Sequence, residues 1–180
     1  MQQRSITIDI LKGIAIIAIV LFHAGILKHG YLGVEVFFVV GGFLITRSII
    51  HKYESNTFNY TNFLANRLIR LWPLVIIVCA IAGVLGYFFQ LPCNYKNTCE
   101  TIVGSCWFLN NFIQYVTASD YWDSANEYKP LMHTWYIGVL FQFYIIYPII
   151  FGICKKISRD WKKTLLVFLI TLSLGSFAIY

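Results

Sequence analysis

Along this chain most polar positions fall in the intervals between long apolar blocks. Five such blocks stand out, at about 10–27, 31–50, 72–89, 132–152 and 164–180. Each has the roughly 17–25 residues that an α-helix needs to cross the hydrocarbon core of a bilayer. The pattern predicts an all-α fold, a polytopic transmembrane helix bundle of about five spans. The first block is longer than a signal-peptide core and is not followed by a small-x-small cleavage site. A second span begins after only the short turn "KHGY". Repeats, low-complexity tracts and flexible linkers are absent from the sequence, so residues 1–180 read as a single membrane domain. The last block is still apolar at Tyr180. Five helices ending inside an apolar run suggest part of a larger bundle, truncated at its C-terminal side.

Composition agrees with this reading. The 180 residues are 58% hydrophobic and 12% charged, with a mean hydropathy of +0.67. A soluble domain carries roughly twice that charged fraction. A net charge of +6 could suggest a nucleic-acid partner, but the placement of the charges argues against one. Eleven of the fourteen Lys and Arg lie in three places: Arg4 and Lys12, the 47–70 region (Arg47, Lys52, Arg67, Arg70), and the 155–163 loop (Lys155, Lys156, Arg159, Lys162, Lys163). The intervening segments hold only Lys28, Lys96 and Lys129 of the basic residues, with Glu100, Asp120, Asp123 and Glu127 in the long 90–130 loop. Basic residues concentrate on the cytoplasmic side of membrane proteins. The expected topology therefore has a cytoplasmic N-terminus and an outer 90–130 loop, in a multi-pass protein of the inner (plasma) membrane. The expected partners include the lipid bilayer and exclude nucleic acid. The five cysteines are scattered and show no metal-type spacing, so no metal site is expected. Cys93, Cys99 and Cys106 share the outer loop, where a disulfide is chemically permitted, but three thiols cannot all pair.

The first hairpin carries the most informative chemistry. If it folds about residue 29, with Gly30 as the pivot, His23 and Glu35 stand at equal depth, six residues from the turn on either side. Lys12 then comes nearly level with Arg47 toward the cytoplasmic end. Ionisable groups inside spans are costly and usually pair or function. A carboxylate accepting from one imidazole nitrogen would fix the tautomer and make the other nitrogen a better base. Lys12 and His23 also share one helix face, eleven residues and roughly 16 Å apart. That length suits an extended cofactor arm such as the pantetheine of coenzyme A, with its phosphates at the cationic end. The bland alternatives are a histidine reaching water and basic residues marking the inner helix ends.

Three further segments add to this. "FNYTNFLANRLIRLWPL" reads as an interfacial helix that places Arg67 and Arg70 one turn apart before Pro73. Guanidinium groups bind phosphate bidentately, although lipid headgroups would serve them equally well. The sequon at Asn59 falls on the predicted inner side. Gly41 and Gly42, in the second span, allow close packing, a kink, or room for a cofactor arm. "PLMHTWYIGVLFQFYIIYP" would place His133, Trp135 and Tyr136 at the outer mouth as candidate acceptor contacts, with Gln142 facing protein rather than lipid.

Four stretches in order, "DILKGIAIIAIVLFH", "GYLGVEVFFVVGGFLI", "FLANRLIRLWPL" and "HTWYIGVLFQFYIIYP", resemble the acyltransferase-3 family of integral membrane O-acyltransferases over most of residues 8–150. The resemblance implies about ten spans, of which this chain would supply the N-terminal half. It implies transfer of an acyl group, usually acetyl, from cytoplasmic acyl-CoA to a hydroxyl of an extracytoplasmic glycan such as a polysaccharide, lipopolysaccharide or peptidoglycan. Acyl-CoA would be a donor substrate, with no permanently bound cofactor. The family's catalytic histidine maps onto His23, its acidic position onto Glu35, and its paired arginines onto Arg67 and Arg70. Three departures stand out. Lys12 replaces an arginine, Gly41 replaces a serine, and "WYIGVLFQFY" has Leu140 and Phe141 where the family has two glutamates. A glycan or lipid transporter and a non-catalytic relative are the competing classes.

Overall fold

A computed structural model describes residues 6–117 and 130–179. Arg4, Asp120, Asp123, Glu127 and Lys129 lie outside the described residues. The elements, in order, are α1 (Ile6–His23), α2 (Leu32–Glu54), α3 (Tyr60–Phe89), α4 (Pro92–Cys106), α5 (Asn110–Thr117), a 3₁₀ turn (Met132–Thr134), α6 (Trp135–Ile157) and α7 (Trp161–Ile179). Among the described residues there is no strand. Among the described residues, five helical segments are long and apolar enough to cross a membrane: Ile6–His23, Leu32–Glu54, Tyr60–Phe89, Met132–Ile157 and Trp161–Ala178. The chain is an all-α, multi-pass membrane protein. Contacts divide it into two compact units, Met1–Phe58 and Asn59–Tyr180.

The first unit is the α1–α2 hairpin. Apolar residues carry α1 as far as His23, where a left-handed glycine stops it. Gly25 has φ +74°. Its N–H donates to the Phe22 carbonyl (3.0 Å), and the Ile26 N–H donates to the Leu21 carbonyl (2.9 Å). This pair of bonds is the Schellman arrangement, which satisfies the last carbonyls of a helix. The turn therefore hinges at Gly25. Gly30 has a different use, because a Cβ there would collide with the Ala18 carbonyl and Phe22. At Gly33 a Cβ would lie 2.5 Å from the Ala15 carbonyl oxygen and 2.8 Å from Ile19 Cγ1. Two glycines one turn apart thus press the start of α2 directly onto α1, a small-residue contact typical of helices in lipid.

In the second unit, the arginine-bearing segment and the third span are one helix. Asn59 caps it: its side-chain oxygen accepts from the Asn62 N–H at 3.0 Å and from the Thr61 hydroxyl at 2.6 Å. The helix runs on through Pro73 for 30 residues, roughly 45 Å against a hydrocarbon core of about 30 Å. Val75, Cys79, Ala82 and Gly86 form its buried stripe. The first three build the core with Phe108 and Leu131, against Ile102, Cys106, Ile137 and Phe141. The expected outer loop contains α4 and α5, which pack on each other and on α3 and α6. All five cysteines are free thiols.

Candidate functional site

In the hairpin, α1 is unbroken from Ile6 to His23, so Lys12 and His23 keep their shared face and their separation of roughly 16 Å. His23 is the last helical residue, exposed beside the Gly25 turn, and its ring meets Phe22 edge-on at 5.2 Å. The expected pairing with Glu35 does not form. Gly33 sits between Ala15 and Ile19, level with residue 17. Glu35 therefore falls level with residue 15, about 12 Å below His23 along the axis. It is also two residues, or about 200°, around α2 from the face pressed on α1. Among the described residues Glu35 makes no hydrogen bond or ion pair.

The same shift separates the lower pair. Lys12 comes level with residue 38, so Arg47 lies about 13 Å further along α2. The physical reason is the segment 24–31, which doubles back over α1 and is not a tight bend at residue 29. Close glycine packing then sets the register. Gly42 has open space where a Cβ would stand, and α2 continues unbroken through it. The Thr46 hydroxyl donates to the Gly42 carbonyl at 2.8 Å.

In the second unit, Arg67 and Arg70 lie one turn apart on α3 but are held differently. The Arg67 guanidinium carbon lies 5.3 Å from the centroids of both Phe63 and Tyr144, over each ring. Arg70 is exposed and makes no ion pair or hydrogen bond among the described residues. His133 is exposed on the 3₁₀ turn, and Trp135 is half-buried at the start of α6, edge-on to Tyr136 at 6.3 Å.

A polar cluster holds that turn in place. The Asn110 amide, 0% exposed, donates to the Leu131 carbonyl (3.0 Å) and to the Thr134 hydroxyl (2.6 Å). Thr134 in turn shares a 2.6 Å hydrogen bond with Ser105 and donates to the Leu131 carbonyl at 2.8 Å. Lower on α6, Gln142 and Asn111 exchange amide bonds of 2.9 and 3.1 Å, and Gln142 also donates to the Phe108 carbonyl at 3.3 Å. Gln142 thus faces protein, as its position in a span requires.

Phe108 takes a left-handed φ of 57°, and its Gln142 and Gly138 contacts surround that strained carbonyl. Gln142→Leu leaves the Asn111 amide without its partner. It is expected to cost about 1–3 kcal/mol, seen as a lower thermal unfolding midpoint of the full-length protein in detergent. An unchanged midpoint would mean that the amide pair adds nothing. Sequence reasoning missed Ser105, Asn110, Thr134 and Asn111. The polarity of "NN" and "GSC" was visible, but their partners lie 21–31 residues away. Among the described residues, no group of three or more His, Cys, Asp or Glu could hold a metal ion.

Comparison with known proteins adds the family. The chain is 30% identical over 173 residues to the peptidoglycan O-acetyltransferase OatA of Listeria monocytogenes, covering 94% of this chain and 28% of that protein. It is 34% identical over 140 residues to an uncharacterized protein of Haemophilus influenzae, covering 78% of this chain and 56% of that one. The chain thus spans between about a quarter and just over half of these relatives. No solved structure matches. The family model for the acyltransferase domain (acyltransferase-3) matches residues 5–179, nearly the whole chain, and to that family the chain belongs.

Proposed function

We infer that this chain is part of one membrane domain that transfers an acyl group, most simply acetyl, from cytoplasmic acyl-CoA to a hydroxyl of an extracytoplasmic glycan. The observation that carries this reading is the first helix. An unbroken apolar span bears a cation and an imidazole on one face, at a separation of roughly 16 Å that matches an extended thioester arm. Its family, and a relative that O-acetylates peptidoglycan, support the reaction class.

In this reading the N-terminus is cytoplasmic in the inner (plasma) membrane. Arg67 and Arg70 meet the phosphates of the donor, and Lys12 and Arg47 are the further candidate contacts for them. His23 takes the proton of the acceptor hydroxyl as that oxygen attacks the thioester carbonyl, and the C–S bond breaks to release the coenzyme A thiolate, which takes that proton from the imidazolium. His133 and Trp135 contact the acceptor. Glu35 takes no part in orienting His23 and is left without a role in the proton transfer. Lys12 offers a point charge where a guanidinium would give a fork, so phosphate recognition falls chiefly to the two arginines.

The sidedness of the donor provides the test. Membrane vesicles of both orientations, carrying the full-length protein and its glycan, are given radiolabelled acetyl-CoA from outside. Ester-linked label is expected on glycan only in inside-out vesicles, where the donor meets the cytoplasmic face. Equal labelling in both orientations, or none in either, would overturn the donor assignment.

A further inference from the structure

The two arginines that sequence reasoning treats as a matched pair are held in different ways. Arg67 is half-buried, with its guanidinium in the corner between two aromatic rings. The rings meet edge to face at 88°, with centroids 6.4 Å apart. Both are themselves immobilised, Phe63 at 2% exposure and Tyr144 at 9%. Tyr60, one turn before Phe63, ties the same end of α3 to α6 by donating to the Ile145 carbonyl at 3.1 Å. Among the described residues no carboxylate pairs with Arg67, and none of its N–H groups has a hydrogen-bond acceptor. Ring faces attract a cation through their quadrupole without using the five N–H donors of the guanidinium. The charge is therefore held in one place while its capacity to bind an anion stays intact. Arg70 has no such clip, and ordering its long side chain around a ligand costs rotamer freedom.

We propose that Phe63 and Tyr144 form an aromatic clip that pre-positions Arg67 to bind a phosphate of the acyl donor, which makes Tyr144 a positioning residue for donor affinity. This rests on the acyl-CoA reading given above. A carboxylate in the place of the rings would also fix Arg67, but it would neutralise the charge and occupy the donors that a phosphate needs.

The test uses the full-length protein in lipid nanodiscs, with acetyl-CoA as donor and either Tyr144→Leu or Tyr144→Phe. Losing the ring face is expected to raise KM for acetyl-CoA roughly three- to tenfold, on the scale of a partly desolvated cation–π contact, while kcat stays within about twofold. Tyr144→Phe keeps the ring and is expected to stay within about twofold of the unaltered protein in both constants. An unchanged KM in Tyr144→Leu, or a fall in kcat alone, would overturn the proposal.

A second readout needs no turnover. Modification by phenylglyoxal, mapped by mass spectrometry, is expected to speed up several-fold at Arg67 in Tyr144→Leu, with Arg70 unchanged as the internal standard. Equal rates at Arg67 in all three proteins would show that no clip exists. If the unaltered protein does not use acetyl-CoA at all, the donor reading fails by itself, and the labelling rates still decide whether the clip holds Arg67.

Discussion

Gly33→Ala is expected to destabilise the full-length protein, whereas Gly42→Ala, nine residues further along the same helix, is expected to leave its stability unchanged or raise it. At Gly33 the added methyl would stand 2.5 Å from the Ala15 carbonyl oxygen and 2.8 Å from Ile19 Cγ1. The nearer obstacle is helix backbone, which cannot rotate away, so α1 and α2 must separate. Overpacking of this kind costs about 1–3 kcal/mol and sometimes more. Gly33→Leu should cost more still. At Gly42 an added methyl meets nothing within 4 Å, and alanine gains up to about 1 kcal/mol over glycine inside a helix. Thermal unfolding in detergent separates the two cases. Equal shifts for both variants would mean that the glycine contact does not set the hairpin.

His23→Ala is expected to reduce acyl transfer by on the order of 10²–10⁴-fold, the usual contribution of a positioned general base. His23 closes α1 and is exposed, with the Gly25 turn immediately beyond it. Removing its ring creates no cavity in the hairpin contact, which runs through Ala15, Ala18, Ile19 and Phe22. Activity should therefore fall with little change in stability, and KM for the donor should stay near its original value. A parallel collapse of stability would make His23 a structural residue, and full activity would remove it from the reaction.

How much of this was legible in the sequence depends on whether the determinants are local. The five spans follow from the length of apolar runs, a local property, and all five are present. Their ends were harder to read. The first span ends at His23, before the expected limit, because Gly25 adopts a left-handed conformation that hydropathy does not record. The third starts at Tyr60, well before the expected one, because Asn59 caps a polar first turn whose composition resembles a separate surface helix.

The His23–Glu35 pairing failed because counting from the turn assumes a symmetric bend. The register is in fact set by Gly30 and Gly33 against α1. The arginine spacing was visible, but the difference between Arg67 and Arg70 was not. It depends on Tyr144, which lies far away in sequence and is brought over by α6 packing. The polar cluster around Asn110 and Thr134 was likewise hidden by its long-range pairing.

The proposed function makes this membrane chain part of a protein that esterifies a glycan, with His23 as the base. The most direct measurement is proton NMR of ester-linked acetyl on envelope glycan. It would be made in a strain lacking the gene and given back the full-length gene, either unaltered or with His23→Ala. Acetyl is expected to return with the unaltered gene alone, at equal membrane abundance of the two proteins. Acetyl restored equally by both genes, or by neither, would contradict it.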